Sequence, residues 1–276
     1  MRESDLRDMV VRNVQEIKQR FPGWEDLIQL AKDLDIRVVS GSLGSSKEGA
    51  AFQDVIITDP SIRSEERRVF TFYHEITHHL IRRNDELLSV IHDQCRTDED
   101  YHRVNEWLCN TGAAEFLMPR EMVLERIRRT GFSSLLISGL YVTTRASRTA
   151  ICVQLALCAI HRCIAMVCRV FPQVGDSGLF GQLASVTTLR VDTAVSSESM
   201  RYSVAHGTAI SKDHLLWHSY RANDGRLCSG RASIPFRSGS IWSVDCEALR
   251  VGEQLFAIFN VDSPPRFNPD QMSLPF

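Results

Sequence analysis

Apolar residues recur at helical spacing from the first turns of the chain: Val10, Val14 and Ile17, then Leu27, Leu30 and Leu34, with Pro22-Gly23 breaking the run between them. Residues 36–39 and 54–58 read as strands, separated by a polar loop over 41–49 with three glycines, and Asp59-Pro60 stops the second strand. Helical periodicity returns over 65–83 and 98–118, the latter ended by Pro119. Shorter helical patterns cover 121–129 and 133–142, with Thr130-Gly131 between them, and a longer one covers 143–161. From Cys163 onward, β-branched and apolar runs alternate with turn clusters at Pro172, Gly175-Asp176-Ser177-Gly178, Asn223-Asp224-Gly225 and Ser238-Gly239. The pattern predicts an α+β chain: a helical and mixed half, a helical connector near 121–160, and a strand-rich half over 161–276. The tail from Ser263-Pro264-Pro265 to Phe276 reads as loosely attached.

A length of 276 residues suits two domains, and 43% hydrophobic with 24% charged residues excludes a disordered or collagen-like chain. Lys+Arg 32 against Asp+Glu 34 gives a formal charge of -2, so bulk counterion release onto nucleic acid is not the main business, although a local basic face stays open. The charged N-terminus has no apolar run of signal-peptide length behind it. The most apolar stretch, 151–170, is interrupted by Gln154, His161, Arg162 and Arg169, which argues against a membrane span. The expectation is a cytoplasmic protein. Its eight cysteines show no CxxC spacing and read as reduced, mostly buried thiols.

The candidate chemistry lies in Tyr73-His74-Glu75-Ile76-Thr77-His78-His79-Leu80. In this HExxH pattern His74 and His78 stand one helical turn apart, so both imidazoles can reach one ion. Glu75 is placed to act as general base on water at the metal and to return the proton to a leaving amine. Phe72, Ile76 and Leu80 form a separate apolar stripe for burial, which leaves His79 off the ligand face, as an outer-shell or surface residue. A catalytic zinc takes three protein ligands and keeps one open position. No metzincin continuation follows His78, so the third ligand comes from another helix. Glu106 is best placed, since Glu106, Asn110 and Ala113 share a face and Gly112, Ala113 and Ala114 permit close helix approach. Glu99 and Glu115 are the alternatives, and Glu115 lies about half a rotation from Glu106. Tyr73, Tyr101, His102, His161 and His206 are all candidates to stabilise an oxyanion.

The run from Arg67 through Leu80, followed by Glu106-Trp107-Leu108-Cys109-Asn110-Thr111-Gly112-Ala113-Ala114-Glu115-Phe116 and on to Met118-Pro119, resembles the ImmA/IrrE family of metallopeptidases, and within it the IrrE (PprI) branch of Deinococcus-type bacteria. The likeness covers residues 30–120 strongly and 121–155 in pattern. It implies a thermolysin-like zinc peptidase domain over 1–120, a helix-turn-helix-like segment over 121–160 and a GAF-like sensor domain over 161–276. It implies His74, His78 and Glu106 as ligands of one zinc, or another divalent ion such as manganese, with Glu75 as base. It further implies that the substrate is a helix-turn-helix repressor, of the DdrO type, whose cleavage releases DNA-damage and radiation-response genes. Thr111-Gly112 departs from the bulkier residues usual in the middle of the family's second helix. In a thermolysin-like fold, 54–58 would be the edge strand against which an extended substrate pairs.

Residues 140–148 have the cadence of a turn into a recognition helix, which would direct Arg145 and Arg148 at a duplex. The plainer reading, which we prefer, is a connector packed between domains. Arg126, Arg128 and Arg129 read as a solvated face or a docking surface for acidic groups. His206, His214 and His218 include an i,i+4 pair, but the strand-rich setting argues against a second metal site. Two function classes therefore compete: a zinc endopeptidase that cuts a repressor, and a DNA-binding regulator with a structural zinc.

Overall fold

The computed structural model describes residues 3–44, 48–173, 186–222, 225–236, 238, 240 and 242–262. The turn expected at 175–178 and the tail from 263 lie outside these residues, as do parts of the 41–49 loop and of the 223–225 and 238–239 turns. The chain is a mixed α and β structure of two compact units, Met1–Pro119 with Thr144–Ser147, and Arg120–Thr143 with Arg148–Phe276.

In the first unit, α1 (Glu3–Arg20) and α2 (Leu27–Asp33) flank the Pro22-Gly23 break. Strands β1 (Arg37–Ser40), β2 (Gly49–Phe52) and β3 (Val55–Thr58) form one sheet, followed by α3 (Glu65–Arg82), α4 (Asp85–Gln94) and α5 (Asp98–Leu117). Short polar side chains start the helices. Asp26 accepts from the Ile28 and Gln29 amides, Ser64 from Arg67, Asn84 from Leu87 and Thr97 from Asp100. Each such cap stabilises its helix by about 1 kcal/mol. Two elements escape the hydrophobic pattern: α4, short and half polar, and β2, whose Gly49-Ala50-Ala51-Phe52 has no β-branched residue.

The sheet order is β1-β3-β2, with β1 parallel and β2 antiparallel to β3. This corrects the expectation that 54–58 is the edge strand. Val55–Thr58 is central, flanked on both sides, because the unforeseen β2 pairs along its far side; the outer strand beside α3 is β2.

Helix α3 packs against α5, and the smallest residue on α5 sets the separation. A Cβ added at Gly112 would stand 2.5 Å from both Cγ2 and Oγ1 of Thr77, a fully buried residue on α3. Gly112→Ala is therefore expected to lower stability by about 1–3 kcal/mol, the usual range for overpacking, read as a lower denaturant midpoint at unchanged slope. An unchanged midpoint would mean that the two helices have slack at this level.

Helix α1 supports α5 from another side. Leu6 and Val10 share a buried cluster with Ile81, Leu87, Ile91, Leu108 and Cys109. Near the end of α5, Lys18 Nζ donates to the carbonyls of Glu115 (3.3 Å) and Phe116 (3.2 Å) and lies 4.0 Å from the centre of the Trp24 ring. Gln15 Nε2 donates to Glu115 Oε1 at 3.2 Å. Burial lowers the Lys18 amine from its ordinary pKa, and Glu115 and Glu25 oppose that shift. A cation on the last carbonyls of a helix is a favourable placement.

The second unit contains α6 (Arg120–Thr130), α7 (Leu136–Thr143), α8 (Arg148–Cys158) and α9 (Leu215–Arg221). Its strands are β4 (Cys163–Gln173), β5 (Val186–Ser196), β6 (Leu227–Ser233), β7 (Ser243–Val251) and β8 (Gln254–Asn260), arranged as an antiparallel sheet in the order β5-β4-β8-β7-β6. Ile164, Met166, Leu255 and Phe259 are among its fully buried core residues. Glu247 on β7 accepts from Ser133 Oγ at 2.6 Å and from the Ser134 amide at 3.0 Å, which pins the approach to α7. All eight cysteines are free thiols, and burial pushes those of Cys163 and Cys168 up to about 12. Among the described residues, no helix is long and apolar enough to cross a membrane.

Candidate metal centre

On α3 the apolar stripe of Phe72, Ile76 and Leu80 is buried, as its spacing predicts, and this fixes the rotation that presents His74 and His78 to α5. The two rings meet edge to face with centroids 4.9 Å apart. Glu106 on α5 completes the group: its Oε2 lies 3.3 Å from His74 Nε2 and its Oε1 lies 3.3 Å from His78 Nε2. Ligand atoms about 2.0–2.1 Å from a tetrahedral ion stand about 3.3–3.4 Å from one another. Each imidazole thus stands from one carboxylate oxygen at the separation that ligands of a divalent ion show, and the donor set suits such an ion. The Glu106 side chain is 41% exposed, so the centre faces solvent on its carboxylate side.

The other ring nitrogens are held by amides. His74 Nδ1 is 3.0 Å from Asn110 Oδ1, which orients the ring with its Nε2 lone pair toward Glu106. His78 Nδ1 is 3.2 Å from Asn105 Nδ2, and a half-turn of that amide gives His78 the same orientation through Oδ1. Burial lowers both imidazole pKa values, His78 to about 3, which keeps the rings in the neutral, ligating form. Asn110→Ala should weaken metal binding about 10–100-fold, measured by competition with a chromophoric chelator. Unaltered affinity would show that the α3 backbone alone orients His74.

Asn110 was visible in the sequence as a face-mate of Glu106. The only sequence signal for Asn105 is its adjacency to Glu106. Cys109 adds more to the site. The sequence marks it as a buried hydrophobe, and it is buried, yet its Sγ lies within 4.8 Å of ligand atoms of His74 and His78. It therefore offers a second possible third ligand, one helical turn from Glu106, although burial holds its thiol well above the usual range.

The remaining sequence candidates separate clearly. Glu75 is 5% exposed, on the side of α3 that meets β2. Glu115 is buried against Gln15 and Lys18, away from the centre, and Glu99 is exposed in the first turn of α5. His79 is buried rather than superficial. Its Nδ1 faces Arg82 at 3.4 Å, and burial together with the Arg82 charge pushes its pKa down to about 4 against a backbone contact with Val55 that opposes the shift.

Of the five oxyanion candidates, His102 lies nearest the centre, its Nδ1 3.8 Å from Glu106 Oε1. Tyr73 is buried with its hydroxyl donating to the Trp24 carbonyl, and Tyr101 stacks on His92. His161 and His206 belong to the second unit, bonded to Asn260 and to the Asp192 carbonyl. There His214 caps α9 through Nδ1 and donates from Nε2 to the Ser233 carbonyl.

Arg145 pairs with Glu65 at 3.2 Å and donates to the Glu25 carbonyl. Arg148, at the start of α8, lies 3.5 Å over the Tyr141 ring. Both guanidinium groups are engaged within their own units. Arg128 and Arg129 pair with Glu125 in the same helix.

An HExxH helix facing a carboxylate on a second helix, on a mixed α and β unit, has the residue pattern of metallopeptidase centres. Residues 31–155 match the IrrE N-terminal-like domain, and the chain carries that domain. It is 33% identical over 186 residues to the radiation response metalloprotease IrrE of Deinococcus deserti, covering 67% of this chain and 63% of that protein. With the radiation response metalloprotease IrrE of Deinococcus radiodurans it shares 30% identity over 203 residues, or 71% of this chain and 59% of the relative. The chain thus spans about three fifths of these curated relatives. A Mycobacterium tuberculosis transcriptional regulator of known structure superimposes with a TM-score of 0.56 over 92% of this chain and 75% of its own, at 16% identity, a likeness of fold alone.

Proposed function

We propose that this protein is a zinc-dependent, site-specific endopeptidase that cuts a helix-turn-helix repressor of the DdrO type and so derepresses DNA-damage and radiation-response genes. The observation that carries this reading is the convergence of Glu106 on both imidazoles at 3.3 Å, with Glu75 on the same helix as the two histidines. The metalloprotease names of the two Deinococcus relatives support it.

In this reading His74, His78 and Glu106 hold one divalent ion, zinc or alternatively manganese. Such an ion supplies Lewis acidity toward a carbonyl and lowers the pKa of water. Glu75 takes the proton of the attacking water and delivers it to the leaving amine. Asn110 and Asn105 keep the two imidazoles in ligating orientation. Near-complete burial of Glu75 limits competition from bulk water for its carboxylate.

The finer division into a thermolysin-like domain, a helix-turn-helix-like segment and a GAF-like sensor belongs to the same proposal, as does a cytoplasmic setting. Direct duplex binding through Arg145 and Arg148 is the competing reading. Their contacts with Glu65 and Tyr141 favour a structural role instead.

The test mixes the purified protein with its host's helix-turn-helix repressor, with and without zinc, beside a Glu75→Ala control. One discrete zinc-dependent cut, absent from the control, is expected. Specific duplex binding without any cut would transfer the function to DNA recognition and make the metal structural.

A further inference from the structure

Strand β2 lies closer to the HExxH helix than any side chain would allow. A Cβ built at Gly49 would stand 2.6 Å from Thr71 Cγ2, 2.7 Å from Glu75 Oε1 and 2.9 Å from Glu75 Cγ. Gly49 is not among the residues with positive φ, so backbone conformation does not require glycine here. What requires it is the close approach of strand to helix.

The strand is also held at both ends. Before Gly49, Glu48 pairs with Arg67 of α3 (Nε to Oε2, 2.6 Å) and accepts from Thr71 Oγ1 at 3.5 Å. After it, Arg82 at the far end of the same helix donates to the Ala51 carbonyl at 3.3 Å. Outward drift of the strand to make room for a side chain at position 49 would disturb its pairing with β3 as well as these contacts. On the helix side the yielding groups are the Thr71 methyl and the Glu75 carboxylate.

The hydrogen-bond pattern adds a second property. The Asp59 amide donates to Glu48 C=O, and Thr58, the partner of Gly49, turns its own carbonyl away toward Gly41. Strand alternation then directs the peptide groups of Gly49 and Ala51 away from β3, toward the outer edge. Arg82 already occupies the Ala51 carbonyl. The peptide group of Gly49 is thus edge-facing in the same residue that abuts the Glu75 carboxylate.

We infer that Gly49 is a positioning residue: the missing side chain lets the outer strand set the location of the Glu75 carboxylate, in register with an edge-facing peptide group. This rests on the peptidase reading above. Gly49 touches no reacting atom in this account and acts through Glu75.

The experiment compares wild type, Gly49→Ala, Thr71→Ser and Gly49→Ala/Thr71→Ser in repressor cleavage, metal content and thermal midpoint. Thr71→Ser removes the methyl that an added Cβ would strike and keeps the hydroxyl that faces Glu48. Gly49→Ala is expected to lower kcat about 100-fold, the effect of an ångström-scale misplacement, with KM and bound metal unchanged. The double variant should recover much of the thermal midpoint, because one of the two clashes is gone, and keep the low kcat, because the clash with Glu75 remains. Should Gly49→Ala fail to fold, the double variant carries the same comparison. Wild-type kcat in Gly49→Ala, or kcat that returns in step with the thermal midpoint in the double variant, would overturn the positioning role and leave the peptidase reading intact. A wild-type protein that cuts nothing would overturn both.

Discussion

Glu75→Gln keeps the metal and the fold and lowers cleavage about 100- to 10,000-fold, the range that a positioned general base contributes. Gln is the informative replacement because Glu75 is 5% exposed and sits within contact range of the Gly49 backbone; Ala would add a cavity to the loss of a base. The measurement is a time course of repressor cleavage at saturating zinc, with metal content determined on the same sample. Metal retained with activity lost assigns Glu75 to proton transfer. Metal and activity lost together would make it part of the ligand set, and unaltered cleavage would remove it from the chemistry.

Glu106→Ala is the second variant with a large effect, and it separates two possible ligand sets. Glu106 stands at tetrahedral-edge distance from both Nε2 atoms, whereas Cys109 lies buried within 4.8 Å of the same rings. If Glu106 is the third ligand, Glu106→Ala purifies without stoichiometric metal and its cleavage falls to background, while Cys109→Ala keeps its metal and loses only the packing of one buried sulfur, about 1 kcal/mol. The reverse outcome would place the ion on a thiolate. Cobalt substitution reports this directly, since a sulfur ligand adds an intense near-ultraviolet charge-transfer band that nitrogen and oxygen ligands lack.

The elements read most easily from the sequence are those whose burial follows a period. The stripe of Phe72, Ile76 and Leu80 announces α3 and, by exclusion, the face that carries His74 and His78. The approach of α5 to α3 is legible from Glu106, Asn110 and the small residues after them, and Gly112 does mark the close contact with Thr77. Strand order was not legible. Val55–Thr58 has the composition of any half-buried strand, and only the pairing of Gly49–Phe52 makes it central. That partner is hidden because Gly49 is small for a packing reason, proximity to α3, and this overrides β propensity. The nearness of Cys109 to the two imidazoles and the burial of His79 are hidden for a related reason. Sequence period gives the face a side chain occupies, but not what stands opposite it across an interhelical contact.

The Lys18 contact with the end of α5 bears on how this protein can be divided. The matched family segment begins at residue 31, after the whole of α1. Yet Leu6 and Val10 cover Leu108 and Cys109 on the helix that supplies Glu106, and Lys18 caps the Glu115 and Phe116 carbonyls of that same helix. A fragment cut at the family boundary would bare this apolar flank and release its last turn. The smallest piece able to keep His74, His78 and Glu106 together therefore starts upstream of the segment by which its kinship is recognised.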